Sequence, residues 1–138
     1  MKFAHIADVH IGSWRDPSLK DMGTTAFLQA MDRCKEEEVD FVLISGDLFH
    51  TSLPRIDNLK QVVRKMKELK ERKIAIYFVA GSHDFSPTGK TILDVLEEAG
   101  LATNVVKGEV RDGKLFLKFV RDAKTGVKIT GMVGRKGT

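Results

Sequence analysis

One cysteine stands among 138 residues. Cys34 alone excludes a disulfide framework within the chain, and such usage fits a reducing compartment. Long apolar runs are missing too. The opening MKFAHIADVH holds no stretch like a secretory leader, and nothing approaches the about 20 apolar residues of a membrane span. Side-chain amides are confined to Gln29, Asn58, Gln61 and Asn104, a scarcity that beside many Lys and Glu fits a thermophile. The charge is nearly balanced: 23 Lys and Arg against 19 acids give +4, which permits a nucleic-acid partner without demanding one. There is no internal repeat, low-complexity tract or linker. With 42% hydrophobic and 30% charged residues, the chain has the composition and length of one domain or a piece of one.

Three short runs read as strands: KFAHIA (2–7), DFVLIS (40–45) and IAIYFVA (74–80). The last two are apolar on both faces, which suits strands buried between helices in a parallel sheet. Helical spacing separates and follows them. Phe27, Ala30, Met31 and Cys34 share one stripe, with Cys34 as a small core residue. Ile56, Leu59, Val62, Val63, Met66 and Leu69 share another. A third, short helix is expected to bury Ile92, Val95, Leu96 and Ala99, with Leu93 outside the stripe and Gly100 as its stop. The order β-α-β-α-β-α predicts a right-handed α/β layer structure. From residue 104 to 133 short β-rich runs alternate with turns, Asp112-Gly113 above all, so an antiparallel β meander is expected there.

Chemistry gathers where the strands end. The first run closes on Asp8-Val9-His10 and Gly12, the second on Ser45-Gly46-Asp47 with His50 beyond, the third on Gly81-Ser82-His83-Asp84. Ligands of open α/β sheets bind outside the carboxyl ends of the strands. An Asp at a strand end ordinarily caps a turn, but three strand ends delivering Asp and His to one edge point to a metal site. Carboxylate oxygen with imidazole nitrogen suits a hard-to-borderline divalent ion. Asp8 and His10 can hold one ion and Asp47 can bridge to a second. Two ions about 3.5–4 Å apart can clamp a phosphate and activate a water for in-line attack, with His83 protonating the leaving oxygen. Gly46 and Gly81 let the backbone turn tightly there. His5 reads as a histidine that either packs or supports a ligand from behind. Asp84 either orients His83 or caps the turn.

These motifs, D-x-H, G-D-x-x-H and G-[N]-H-D in that order, resemble the calcineurin-like metallophosphoesterases. HIADVHIG, SGDLFHTS and TILDVLEEAGL resemble one branch: archaeal and bacterial double-strand-break repair nucleases of the Mre and SbcD type. The resemblance implies the layered α/β metallophosphoesterase fold, a central sheet flanked by helices. It implies a dinuclear-metal phosphodiesterase acting on DNA as exonuclease or endonuclease, two manganese ions, a homodimer, a Rad/SbcC-type SMC-like ATPase partner and a cytoplasmic, nucleoid-associated location. Residue by residue it makes Asp8 and His10 ligands of one metal and Asp47 the bridging ligand. Ser82 falls at a further ligand position, His83 contacts phosphate and assists the leaving group, and His50 is a substrate-side neighbour. The family dimer packs through the helices after motifs two and three, where Leu93 offers a contact.

Two departures matter. Asn is usual where this chain has Ser82; a hydroxyl is shorter and a weaker donor, so weaker binding of the second ion is expected. The family also supplies three later histidines, including G-H-x-H, and no His follows His83. Residues 1–138 are therefore expected to be the N-terminal part of a catalytic domain, inactive alone. Trp14 and Arg15 could stack on and contact DNA, or Trp14 could pack its loop. Lys60, Arg64, Lys65, Lys67, Lys70, Arg72 and Lys73 make the second helix basic, either as a solvated face or as phosphate contacts. Gly89-Lys90-Thr91 is no phosphate loop, because Asp84 stands where its first Gly belongs. Other readings of the motifs are a phosphoesterase for small molecules, nucleotides or phosphoproteins, and a non-catalytic binding subunit with a degenerate site.

Overall fold

The computed structural model describes residues 1–84 and 91–134. Its core is a parallel four-stranded sheet of β1 (Phe3–Ile6), β2 (Phe41–Ser45), β3 (Ala75–Val79) and β4 (Thr103–Asn104), in that spatial order. Residue pairing runs Phe3 to Phe41 to Ala75, and Tyr77 to Thr103. The connecting helices are α1 (Met22–Glu36), α2 (Ile56–Glu71) and α3 (Ile92–Glu98). Because the strand order never reverses, right-handed crossovers put all three helices on the same face. That face holds the main core: Val42, Ile44, Ile76 and Phe78 meet Phe27, Met31 and Cys34 of α1, Val62, Met66 and Leu69 of α2, and Leu93 and Leu96 of α3.

The other face is covered differently from the expectation of helices on both sides. Phe41, Tyr77 and Val105 pack there against Val120, Val127 and Ile129, which belong to a hairpin of β7 (Val120–Arg121) and β8 (Lys128–Ile129) and its loop. At the β1 end that face stays open. Phe3 is half exposed and stacks on Phe41 at 5.3 Å. Of the two readings of His5, the packed one fails: the ring is exposed, with Nε2 2.7 Å from Ser45 Oγ.

The expected meander is two separate hairpins. β5 (Glu109–Arg111) pairs antiparallel with β6 (Lys114–Phe116). Asp112 (φ 49°) and Gly113 (φ 72°) form the tight left-handed turn their sequence signals. Residues 103–104 instead extend the parallel sheet. The third helix also differs from its predicted stripe. Leu93 is 2% exposed whereas Val95 is 57% exposed, because Leu93 and Leu96 are one turn apart and face the sheet together. Thr91 and Asp94 close a capping box at its start, and Gly100 (φ 70°) ends it. Gly89 and Lys90 lie outside the described residues. No helix among the described residues is long and apolar enough to cross a membrane.

The hairpin is fastened by one buried polar pair. Tyr77 donates its hydroxyl to Asp122 Oδ1 at 2.6 Å, and Asp122, 1% exposed, also accepts from the amide and hydroxyl of Thr125. Burial pushes the Asp122 carboxyl up, but these donors outweigh it and hold it below the usual aspartate value. Burial and the carboxylate together push the Tyr77 phenol well up. A carboxyl with a lowered folded-state pKa stabilises above its unfolded value, and that contribution is lost as pH falls through the folded value. Urea unfolding should therefore show stability falling below about pH 4, less steeply in Asp122→Asn. Tyr77→Phe should destabilise by about 1.5–3 kcal/mol at neutral pH, since it removes a charge-assisted bond in a buried place.

Candidate metal centre

Beyond the strand ends, the loops after β1 and β2 continue side by side. The Asp8 amide donates to Gly46 O, His10 to Asp47 O, Ile11 to Leu48 O, and His50 to Ile11 O, at 2.9–3.3 Å. Ile11, Leu48 and Phe49 are buried beneath them. Apolar anchors below thus hold polar residues above at the sheet's carboxyl edge. Asp8 (φ 52°), His10 (φ 50°) and Asp47 (φ 51°) all adopt left-handed backbone, a region that Asp and His enter more readily than most residues but still uncommonly. Three such residues at one edge mark a locally strained site.

The third loop is locked to the second by glycine and a buried carboxylate. Gly81 runs directly against Asp47: a Cβ there would overlap the Asp47 carboxylate and amide nitrogen. Asp84, 2% exposed, accepts from the amides of Gly81 (2.8 Å), Asp47 (3.0 Å) and Phe49 (3.5 Å). Sequence left it between orienting His83 and capping a turn. It ties two loops together through their backbones, and the one sequence signal for this was an Asp directly after the motif His. Burial pushes its carboxyl up, more than those three amides lower it.

The side chains then converge. His10 Nε2 is 3.8 Å from Asp8 Oδ1 and 3.8 Å from Asp47 Oδ2. One ligand atom from each of Asp8, His10 and Asp47 lies within 4.8 Å of the others. Asp47 is mostly buried, and its Oδ1 accepts the His83 amide at 2.9 Å. Burial raises its pKa, but the His83 amide and ring, with His10 beside them, more than offset this and leave it low. The group is thus an anion ready to bind a cation. Two carboxylate oxygens and one imidazole nitrogen fit a hard-to-borderline divalent ion.

His83 Nδ1 is 3.4 Å from Asp47 Oδ2. Its ring stacks on His50 at 4.9 Å and meets His10 edge-on at 4.9 Å. Ser82 Oγ lies 3.2 Å from His83 Nδ1 and only 3.5 Å from Asp47 Oδ2. The structure therefore brings Asp8, His10, Asp47, His50, Ser82 and His83 to one edge. Trp14 and Arg15 are exposed on the loop after Gly12, with no hydrogen bond or ion pair to this group among the described residues. On α2, Lys65 is drawn inward to Asp32 (2.7 Å) and Glu68 (3.0 Å), which joins α1 to α2 and removes it from the solvated basic face.

A layered α/β domain with Asp and His converging at the carboxyl edge of its sheet has the build of a metal-dependent phosphoesterase. The chain belongs to the calcineurin-like phosphoesterase family, which matches residues 1–128. Among characterised proteins it is similar to the DNA double-strand break repair protein Mre11 of Archaeoglobus fulgidus, 36% identical over 117 residues, or 79% of this chain and 26% of the relative. The Mre11 of Methanopyrus kandleri is 33% identical over 115 residues, 80% of this chain and 26% of the relative. That of Methanocaldococcus jannaschii is 37% identical over 87 residues, 61% of this chain and 24% of the relative. The chain thus spans about a quarter of the length of the relatives it matches.

Proposed function

We propose that the chain carries part of the active site of a metal-dependent DNA phosphodiesterase of break repair, the reading that its relatives' names favour. The convergence of Asp8, His10 and Asp47 on one edge, with His83 beside them, carries this proposal. Asp8 and His10 would hold one divalent ion and Asp47 would bridge to a second, with Ser82 at that ion's margin; manganese suits such oxygen-rich donors. Bound there, divalent ions supply Lewis-acid polarisation of the phosphate and acidify a water. The chain's own residues do the rest. Asp47, fixed by the His83 amide, keeps its carboxylate aimed at the shared position. His83, 44% exposed at the side chain, can give a proton to the departing sugar oxygen. His50, stacked on it, limits its swing and faces the substrate side.

Leu53, Ile56 and Val95 leave apolar side chains exposed on and beside α2 and α3, which favours a homodimer through those helices; the buried Leu93 takes no part. ATP hydrolysis, if coupled to this site, belongs to an SMC-like ATPase partner. The deciding experiment uses the whole gene product with manganese and end-labelled linear DNA. Nucleotide release is expected, and Asp47→Asn should slow it by about 100-fold or more, as loss of a metal ligand does. Cleavage of a small phosphodiester with DNA left intact would move the assignment to a small-molecule phosphoesterase. DNA binding with neither activity would make it a binding subunit.

A further inference from the structure

The histidines also form a second constellation, a donor set of their own, which this reading does not use as a set. His10, His50 and His83 each offer one ring nitrogen within 4.8 Å of the others. His10 stands at the join between two donor sets. Its Nε2 faces Asp8 and Asp47 at 3.8 Å, whereas its Nδ1 faces His50 Nδ1 at 3.3 Å. A neutral imidazole has one lone pair and one N–H. His10 can therefore serve one set at a time, and its tautomer decides which.

We infer that His10, His50 and His83 form an alternative site for a borderline transition ion, zinc foremost, which excludes ion binding at the carboxylate set. Zinc–nitrogen bonds of about 2.0–2.1 Å at tetrahedral angles put nitrogens about 3.3 Å apart, the spacing already present between His10 and His50. Three imidazoles and an open fourth position are a recurrent zinc arrangement. When His10 binds through Nδ1, its Nε2–H points at Asp8 and Asp47, so the carboxylates that would otherwise bind metal become acceptors behind a metal-bound histidine, a pairing that strengthens the imidazole as ligand. Donor softness separates the two modes: imidazole favours zinc, carboxylate favours manganese, and zinc is the stronger binder of nitrogen sites generally. The consequence is a metal-selective off state. Zinc would take His83 and His50 out of substrate contact while occupying the shared His10.

This rests on the carboxylate set being the manganese site, so the test reads the two ions separately. Calorimetric titrations of the unaltered chain should give zinc binding at least about tenfold tighter than manganese. His50→Gln should weaken zinc at least about tenfold and leave manganese affinity unchanged, whereas Asp8→Asn should weaken manganese more than zinc, since zinc keeps its three imidazoles and loses only one acceptor behind His10. Cobalt as a zinc surrogate should show the intense visible bands of a four-coordinate ion in the unaltered chain and lose them in His50→Gln. Far-UV circular dichroism identifies any unfolded variant, and His83→Gln gives an independent second reading. Zinc affinity indifferent to both His50→Gln and His83→Gln overturns the inference. Absence of manganese binding in the unaltered chain counts instead against the manganese site, and the zinc titrations then decide the inference alone.

Discussion

Asp84→Ala is expected to lower unfolding stability by about 3 kcal/mol or more, although Asp84 has no placement among the metal ligands. Its carboxylate accepts three backbone amides, from Gly81, Asp47 and Phe49. Alanine would leave these donors without a partner at a buried point, and each buried orphan costs about 1–3 kcal/mol. The loss would not stay local. The same bonds hold the loop carrying Asp47 against the loop carrying His83, so metal affinity should fall with stability. Asp84→Asn separates the parts of this claim. One amide oxygen in the place of Oδ2 keeps the two short bonds to Gly81 and Asp47, and the neutral side chain avoids the burial that pushes the Asp84 carboxyl up. The asparagine variant should therefore lose less than the alanine one in urea unfolding, its remaining cost being the Phe49 amide, which then meets the asparagine NH2 in place of Oδ1. Equal stability loss in both variants would show that the clamp does not rest on those two bonds.

Gly81→Ala should have the largest effect on the site itself. The added methyl would overlap the Asp47 carboxylate and its backbone nitrogen. Neither atom belongs to a flexible chain end, since the Asp47 amide is held by Asp84 and its carboxylate by the His83 amide. Relief requires the second or the third loop to move. Overpacking of this kind costs about 1–3 kcal/mol, but the shift falls on the residue that joins the site. Manganese affinity should drop by about 100-fold, more than the stability change alone would suggest. Gly113→Ala is the comparison. That glycine is also left-handed (φ 72°) but has nothing within 4 Å of an added Cβ. It should lose about 1 kcal/mol through backbone strain with metal affinity intact, as parallel thermal melts and manganese titrations would read out.

The strand-end motifs were legible because their chemistry is local: each Asp or His stands a fixed number of residues past an apolar run, and the sheet's polarity carries all of them to one edge. The same holds for the Asp112-Gly113 turn, the burial of Cys34 and the Gly100 stop, where one or two residues set the backbone. Leu93 was misplaced because seven residues of helix contain too few turns to fix a stripe, and Val95 and Leu93 differ only in which neighbour they find. The cover over Phe41 and Tyr77 was misplaced for a related reason. A strand apolar on both faces requires burial on both, but nothing in its own residues says whether a helix or a hairpin will supply it.

What the chain by itself determined is the order of strands and helices, the left-handed turns that accept Asp, His and Gly, and the donor types brought to the edge. Only the tertiary structure decided that Asp84 grips two loops, that Gly81 is pressed on Asp47, and that His10 stands between carboxylates and imidazoles. Backbone propensity and side-chain chemistry act within a few residues and are written in the sequence. Contacts across 34 to 40 residues, such as Gly81 with Asp47 and His50 with His10, arise only when the packed sheet sets the distance between its loops.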